Sequence, residues 1–110
     1  MTIQEQYELL EKTVRGYNPA ADLAQIRAAF EFANEAHQEQ KRKSGEPYIT
    51  HPLAVAQIVA EELRLDSESI EAALLHDVIE DTAATEEQVA KLFSPTVAAL
   101  VEGVSKLTRI

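Results

Sequence analysis

Apolar side chains recur at steps of three and four along nearly the whole chain, and nowhere do they alternate with the period of two that a half-buried strand requires. The pattern predicts an all-α protein. A first helix is expected from Thr2 to about Arg15, with Ile3, Tyr7, Leu10 and Val14 on one stripe. Asn18-Pro19 offers a cap followed by proline at a first helical position, so a second helix is expected to start there. Its stripe is Leu23, Ile26, Phe30, Ala33 and His37. Ser44-Gly45-Glu46-Pro47 has a turn composition, which makes Lys41 to Thr50 an ordered loop. Helix is expected to resume at His51-Pro52 and to run to about Leu63; the next, capped by Asp66 or Ser67, should end near Asp81. Thr85-Glu86-Glu87-Gln88 is a capping-box pattern opening a short helix to Phe93, and Ser94-Pro95 opens the last one. No internal repeat, low-complexity tract or linker interrupts the series.

Composition narrows the class. With 45% hydrophobic and 26% charged residues in 110, the chain has the balance of one soluble globular domain. Its longest uncharged apolar stretch, Val97 to Val101, falls far short of the roughly 18–20 residues that span a bilayer. Met1 to Gln6 carries no basic leader before an apolar run, so no secretory signal is expected. The absence of cysteine excludes a disulfide framework and a thiolate zinc site, and a cytoplasmic address is expected. Ten Lys and Arg against nineteen Asp and Glu leave a formal charge of −9, which repels polyanions, so neither nucleic acid nor membrane is an expected partner. Three of the ten basic residues are nonetheless consecutive, Lys41-Arg42-Lys43, an island able to capture a small anion.

The candidate chemistry lies in the segment Ser69 to Asp81. Read as one continuous helix at about 100° per residue, with His76 at zero, Glu80 falls near 40°, Asp77 near 100° and Asp81 near 140°. Four titratable side chains then share an arc, while Leu75, Val78 and Ile79 cover the other side. A helix apolar around so much of its circumference is normally buried, and buried charges need partners or a metal. Taken alone, the His76-Asp77 pair reads equally as a hydrogen-bonded core histidine beside a solvated helix end. His51, at the mouth of the preceding helix, offers a third ligand, although it could also be a capping histidine. A mixed imidazole and carboxylate set suits Mn, Fe, Zn or Ni better than Ca or Mg. His37 continues the apolar stripe of its helix and reads as a core or supporting histidine rather than a ligand.

The run from Ala36 through Leu53, which contains Arg42-Lys43-Ser44-Gly45-Glu46-Pro47-Tyr48-Ile49-Thr50-His51-Pro52, strongly resembles the opening motif of the hydrolase domain of Rel/Spo alarmone enzymes. Ala72 to Thr82 and Gly103-Val104-Ser105-Lys106-Leu107 resemble its second and third landmarks, in the same order. The resemblance implies a helical HD-type metal-dependent phosphohydrolase fold. It also implies removal of pyrophosphate from the 3′ position of guanosine tetra- or pentaphosphate with a divalent metal, typically Mn²⁺. Residue by residue, it assigns His51, His76 and Asp77 as metal ligands, and Glu80 and Asp81 as the acidic pair that activates or positions water. Arg42, Lys43 and Ser44 become the loop that holds the nucleotide and its phosphates.

Two departures accompany the match. Phe93-Ser94 stands where the family has Phe-Gly. The family also takes a fourth ligand, an Asp, and a substrate-contacting Asn from a helix downstream of the third landmark, whereas this chain has no Asp after Asp81. The resemblance therefore implies that residues 1–110 are the N-terminal portion of the domain, truncated on its C-terminal side, with no second domain in the chain. Family members often pair the hydrolase with a synthetase that makes the alarmone. Two alternatives accompany this reading: an HD phosphohydrolase of another nucleotide, against which the basic loop argues, and a catalytically incompetent binding or regulatory module, possible as a homo-oligomer.

Overall fold

The computed structural model describes residues 1–108, with side chains through Val104; the side chains of the third landmark from Ser105 onward lie outside the described residues. The first stripe forms α1, Ile3–Tyr17, which buries Tyr7, Leu10 and Val14. Its start is fixed by a capping box, in which the Thr2 hydroxyl accepts the Glu5 amide and the Glu5 carboxylate accepts the Thr2 amide. The second helix, α2, is Leu23–Ala36 and begins later than the Asn18-Pro19 pair predicts. Asn18 instead ends α1, its amide donating to the Val14 carbonyl, and its own carbonyl accepts the Ala21 amide in a turn. Asp22 is the cap that opens α2, its carboxylate accepting the Gln25 amide at 3.1 Å. A cap works through its side chain, and Asp22 makes that bond, whereas the bonds of Asn18 are made by its backbone.

Helix α3, Thr50–Ile58, passes into a π-helical turn, Val59–Leu63, that ends at Arg64 in the left-handed conformation (φ 49°). Asp66 caps α4, Ser67–Leu75, by accepting the Ser69 amide. Every residue of α4 from Ile70 to Leu75 is buried, as its all-round apolar sequence requires. It is the central element, packed against α2, α3 and α7, Pro95–Thr108. The expected single helix to Asp81 is not formed. α4 stops at Leu75, and the chain resumes as one turn, α5, Val78–Asp81. Thr85 caps α6, Glu86–Leu92, with the expected box. Ser94, at the position of the departure from Phe-Gly, caps α7 by accepting the Val97 amide at 3.0 Å, so the serine replaces a turn residue with a helix start.

Among the described residues there is no strand, only a single bridge between Lys41 and Pro47 that closes the loop before α3. Among the described residues no helix is long and apolar enough to cross a membrane. The core is one cluster in which Tyr7 stacks on Phe30 at 4.4 Å and the small residues Ala29, Ala33, Ala56 and Ala60 let helices approach closely.

One charge is buried in this frame. Glu71 on α4 is 4% exposed, and burial, with the nearby charges of Asp22, Glu68 and Asp66, pushes its carboxyl up from 4.5 to about 7. Between those values the folded chain binds more protons than the unfolded one, so stability is fullest in acid and falls as pH rises through 7. Glu71→Gln is expected to be more stable than wild type at pH 8, on the order of 2 kcal/mol, with the gap closing toward pH 5. Urea unfolding at the two pH values checks this, and a gap that widens in acid would refute it.

Candidate functional site

The break between α4 and α5 builds the site. In a continuous helix the Ala73 carbonyl would accept the Asp77 amide; here it receives the His76 Nδ1–H at 2.7 Å. Asp77 then sits at φ −98°, ψ −5°, outside regular helix. Neighbours that a helix would point about 100° apart are turned onto one spot, with His76 Nε2 3.1 Å from Asp77 Oδ2. His51, in the first turn of α3, brings its Nε2 to 3.4 Å from the same oxygen. One ligand atom from each of His51, His76 and Asp77 lies within 4.8 Å of the others. The three predicted ligands therefore converge, by a geometry that the continuous helical arc did not contain.

The Ala73 contact holds the proton on His76 Nδ1 and turns Nε2 toward the cluster, an arrangement that supports metal-ligating histidines generally. Burial, reinforced by His76, Arg42 and His37, outweighs the attraction of Asp77 and lowers the His51 pKa, which favours its neutral, ligating form. Burial opposes charge on His76 too, yet the hydrogen bond to Asp77, the Ala73 carbonyl and the charges of Asp77 and Asp81 raise its pKa. For Asp77, burial pulls upward but the hydrogen bonds from His76 and Tyr48 prevail, keeping it ionised. Two imidazole nitrogens and one carboxylate oxygen thus form a donor set fitted to a divalent transition metal.

The other predicted residues divide. Asp81 joins the cluster's edge, its Oδ2 3.3 Å from the Tyr48 hydroxyl, whereas the ligand group does not extend to Glu80, which is exposed on α5. Both acids are more solvated than the all-buried arc implied, because the broken helix turns them outward. Arg42, Lys43 and Ser44 are exposed and, with Tyr48 and His51, line a recess of about 490 Å³. His51 belongs to both the recess and the ligand cluster, so the two are continuous. A tight turn holds the basic residues: the Gly45 amide donates to the Arg42 carbonyl, the Arg42 amide to the Glu46 carbonyl, and Gly45 takes φ +89°.

Sequence reading missed Tyr48 and the polar support behind it. The Tyr48 hydroxyl donates to Asp77 Oδ2 at 2.8 Å. Its ring lies 4.6 Å from that of His37, which is 2% exposed and bonds through Nδ1 to Gln40 Oε1. The Gln40 side-chain amide in turn donates to the Asp81 carbonyl at 2.9 Å. His37 is thus a supporting histidine, as its place on the stripe suggested. No periodicity marks Tyr48, because its partners are 29 and 33 residues away.

Comparison with known proteins gives concordant matches. A family model described as the HD domain matches residues 29–110. The bifunctional (p)ppGpp synthase/hydrolase SpoT of Escherichia coli (strain K12) is 52% identical over 104 residues, covering 94% of this chain and 15% of that protein. The GTP pyrophosphokinase of Myxococcus xanthus is 54% identical over 97 residues, covering 88% of this chain and 13% of that one. The chain therefore spans about one seventh of the length of these curated relatives. A solved structure described as a metazoan ortholog of SpoT that hydrolyzes ppGpp superposes with a TM-score of 0.69 at 39% identity, covering 72% of this chain and 46% of that one.

The loop geometry yields a contrast between glycines. A Cβ at Gly45 meets no atom within 4 Å, so Gly45→Ala pays only for the left-handed backbone, about 1 kcal/mol. Gly16, inside α1 with equally open space, should gain roughly 0.5–1 kcal/mol as alanine. Urea denaturation of the two variants checks the ordering, and equal effects would contradict the turn described.

Proposed function

The chain belongs to the HD-domain family, and on that premise we propose that its site hydrolyses the 3′-pyrophosphate of guanosine tetra- and pentaphosphate. Water adds to the phosphorus attached at O3′, the O3′–P bond breaks, and a proton returns to O3′. Guanosine tetraphosphate and water thus give GDP and pyrophosphate. Residues 1–110 act as the N-terminal portion of such a hydrolase domain. The observation that carries this reading is the convergence of His51 Nε2, His76 Nε2 and Asp77 Oδ2 beside the recess lined by Arg42, Lys43 and Ser44. The names of the relatives, which include a 3′-pyrophosphohydrolase of Escherichia coli O157:H7, support the same substrate class.

HD-domain membership implies a divalent metal, and Mn²⁺ is the ion proposed for this donor set. When bound, it would supply Lewis acidity toward phosphorus and lower the pKa of water bound to it. The chain's own residues do the rest. Asp81, one turn beyond the ligand pair and open to the recess side through Tyr48, accepts the proton of the attacking water, with Glu80 positioned to assist. Arg42 and Lys43 hold the phosphates by charge-assisted hydrogen bonds, which offsets the repulsion an anion meets from a protein of charge −9. Ser44, at the tip of the turn, adds a neutral donor.

Pyrophosphate release from guanosine tetraphosphate, measured with and without Mn²⁺, tests the proposal. The wild-type chain is expected to exceed His76→Ala and Asp77→Ala by about 100-fold, since each removes a ligand used in the transition state. A wild-type rate equal to theirs, with Mn²⁺ bound, would overturn the hydrolase reading and favour a binding module.

A further inference from the structure

Tyr48 occupies a position that the metal ligands and the basic loop leave unexplained. Its hydroxyl is 2.8 Å from Asp77 Oδ2 and 3.3 Å from Asp81 Oδ2, so one group touches both the ligand carboxylate and the proposed proton acceptor. Its ring is held between the imidazoles of His37 and His51, at 4.6 and 5.8 Å between centroids. Its backbone is held as well. The Tyr48 amide donates to the Gln40 carbonyl at 3.1 Å, and the Tyr48 carbonyl accepts the His51 amide at 2.9 Å. Gln40 reaches the same destination from the other end of the loop, through its side-chain bond to the Asp81 carbonyl.

We propose that Tyr48 is a positioning residue, which sets Asp77 and Asp81 at a fixed separation and ties that separation to the loop carrying Arg42, Lys43 and Ser44. The inference rests on the hydrolase reading for its catalytic consequence, though not for its effect on metal binding. A phenol suits the task chemically. It is a neutral donor, so it orients carboxylates without adding a positive charge that would compete with a cation. It carries one proton, given mainly to Asp77 at the shorter distance, so the two acids are linked through a shared hydrogen rather than by two independent bonds. Because Tyr48 lines the recess itself, an anion that moves the turn also moves the hydroxyl on which both acids rest.

Tyr48→Phe removes the hydroxyl and keeps the ring against His37 and His51. Three readouts are taken on the full chain: melting temperature, Mn²⁺ affinity by electron paramagnetic resonance, and kcat and KM for guanosine tetraphosphate. The expected result is a melting temperature close to wild type, Mn²⁺ binding weakened about 3- to 10-fold, and kcat lowered by about 10-fold or more with KM little changed. Unchanged Mn²⁺ affinity together with unchanged kcat overturns the proposal, as does a loss confined to KM. Where the wild-type chain itself releases no pyrophosphate, the hydrolase reading fails and Mn²⁺ affinity alone decides: weakened binding in Tyr48→Phe upholds the positioning role, and equal binding overturns it. Where the phenylalanine variant melts early, a double-mutant cycle with Asp81→Asn decides instead, because a shared hydrogen bond predicts non-additive losses and purely structural damage predicts additive ones.

Discussion

The hydrogen bond from His76 Nδ1 to the Ala73 carbonyl is the interaction on which the site depends. It does three things at once. The carbonyl that would have continued α4 is taken up, so the helix stops at Leu75. The imidazole keeps its Nδ1 proton on that carbonyl, so Nε2 is the nitrogen turned toward the cluster. The following residue leaves helical geometry, which lets Asp77 turn toward the nitrogen of its own neighbour at 3.1 Å. An unbroken helix could present the two only from the flanks of an ion. The break is affordable because α4 is buried on α2, α3 and α7, so its position is set by packing and not by the length of its hydrogen-bond ladder.

Charge is arranged around that break in a way the total conceals. A chain of charge −9 is a poor host for a phosphate-rich ligand, yet its three consecutive basic residues begin a loop that opens beside His51. The turn that presents them is tight and depends on a left-handed glycine, while Tyr48 at its far end reaches the acids. Ligand cluster, acid and basic recess are therefore mechanically connected through a stretch of about ten residues rather than assembled from independent parts.

Much of this was legible in the sequence because it is local. The capping box at Thr85 and the stripes of α1 and α2 depend on residues close to one another along the chain, and the structure follows them. The placement of His51 before Pro52 and of His76-Asp77 on the next helix offers the three as a set, the resemblance assigns them as ligands, and the structure brings them together. What failed to show was any competition between local signals. Asn18-Pro19 and Asp22 both look like helix starts, and only the turn made by Asn18 decides between them. The sequence of α4 and α5 reads as one helix because its apolar period continues through His76; the break comes from a side chain competing for a backbone carbonyl, which no period records. Tyr48 was invisible for a different reason, since its partners lie on another element.

The central claim is that the broken helix gathers three side chains into a binding site for one divalent cation. Anomalous diffraction from crystals of this protein grown with Mn²⁺ tests it most directly. The account predicts a single strong peak within bonding distance of His51 Nε2, His76 Nε2 and Asp77 Oδ2, with His76 Nδ1 still on the Ala73 carbonyl. Manganese found elsewhere on the acidic surface, with no peak among those three atoms, would contradict it.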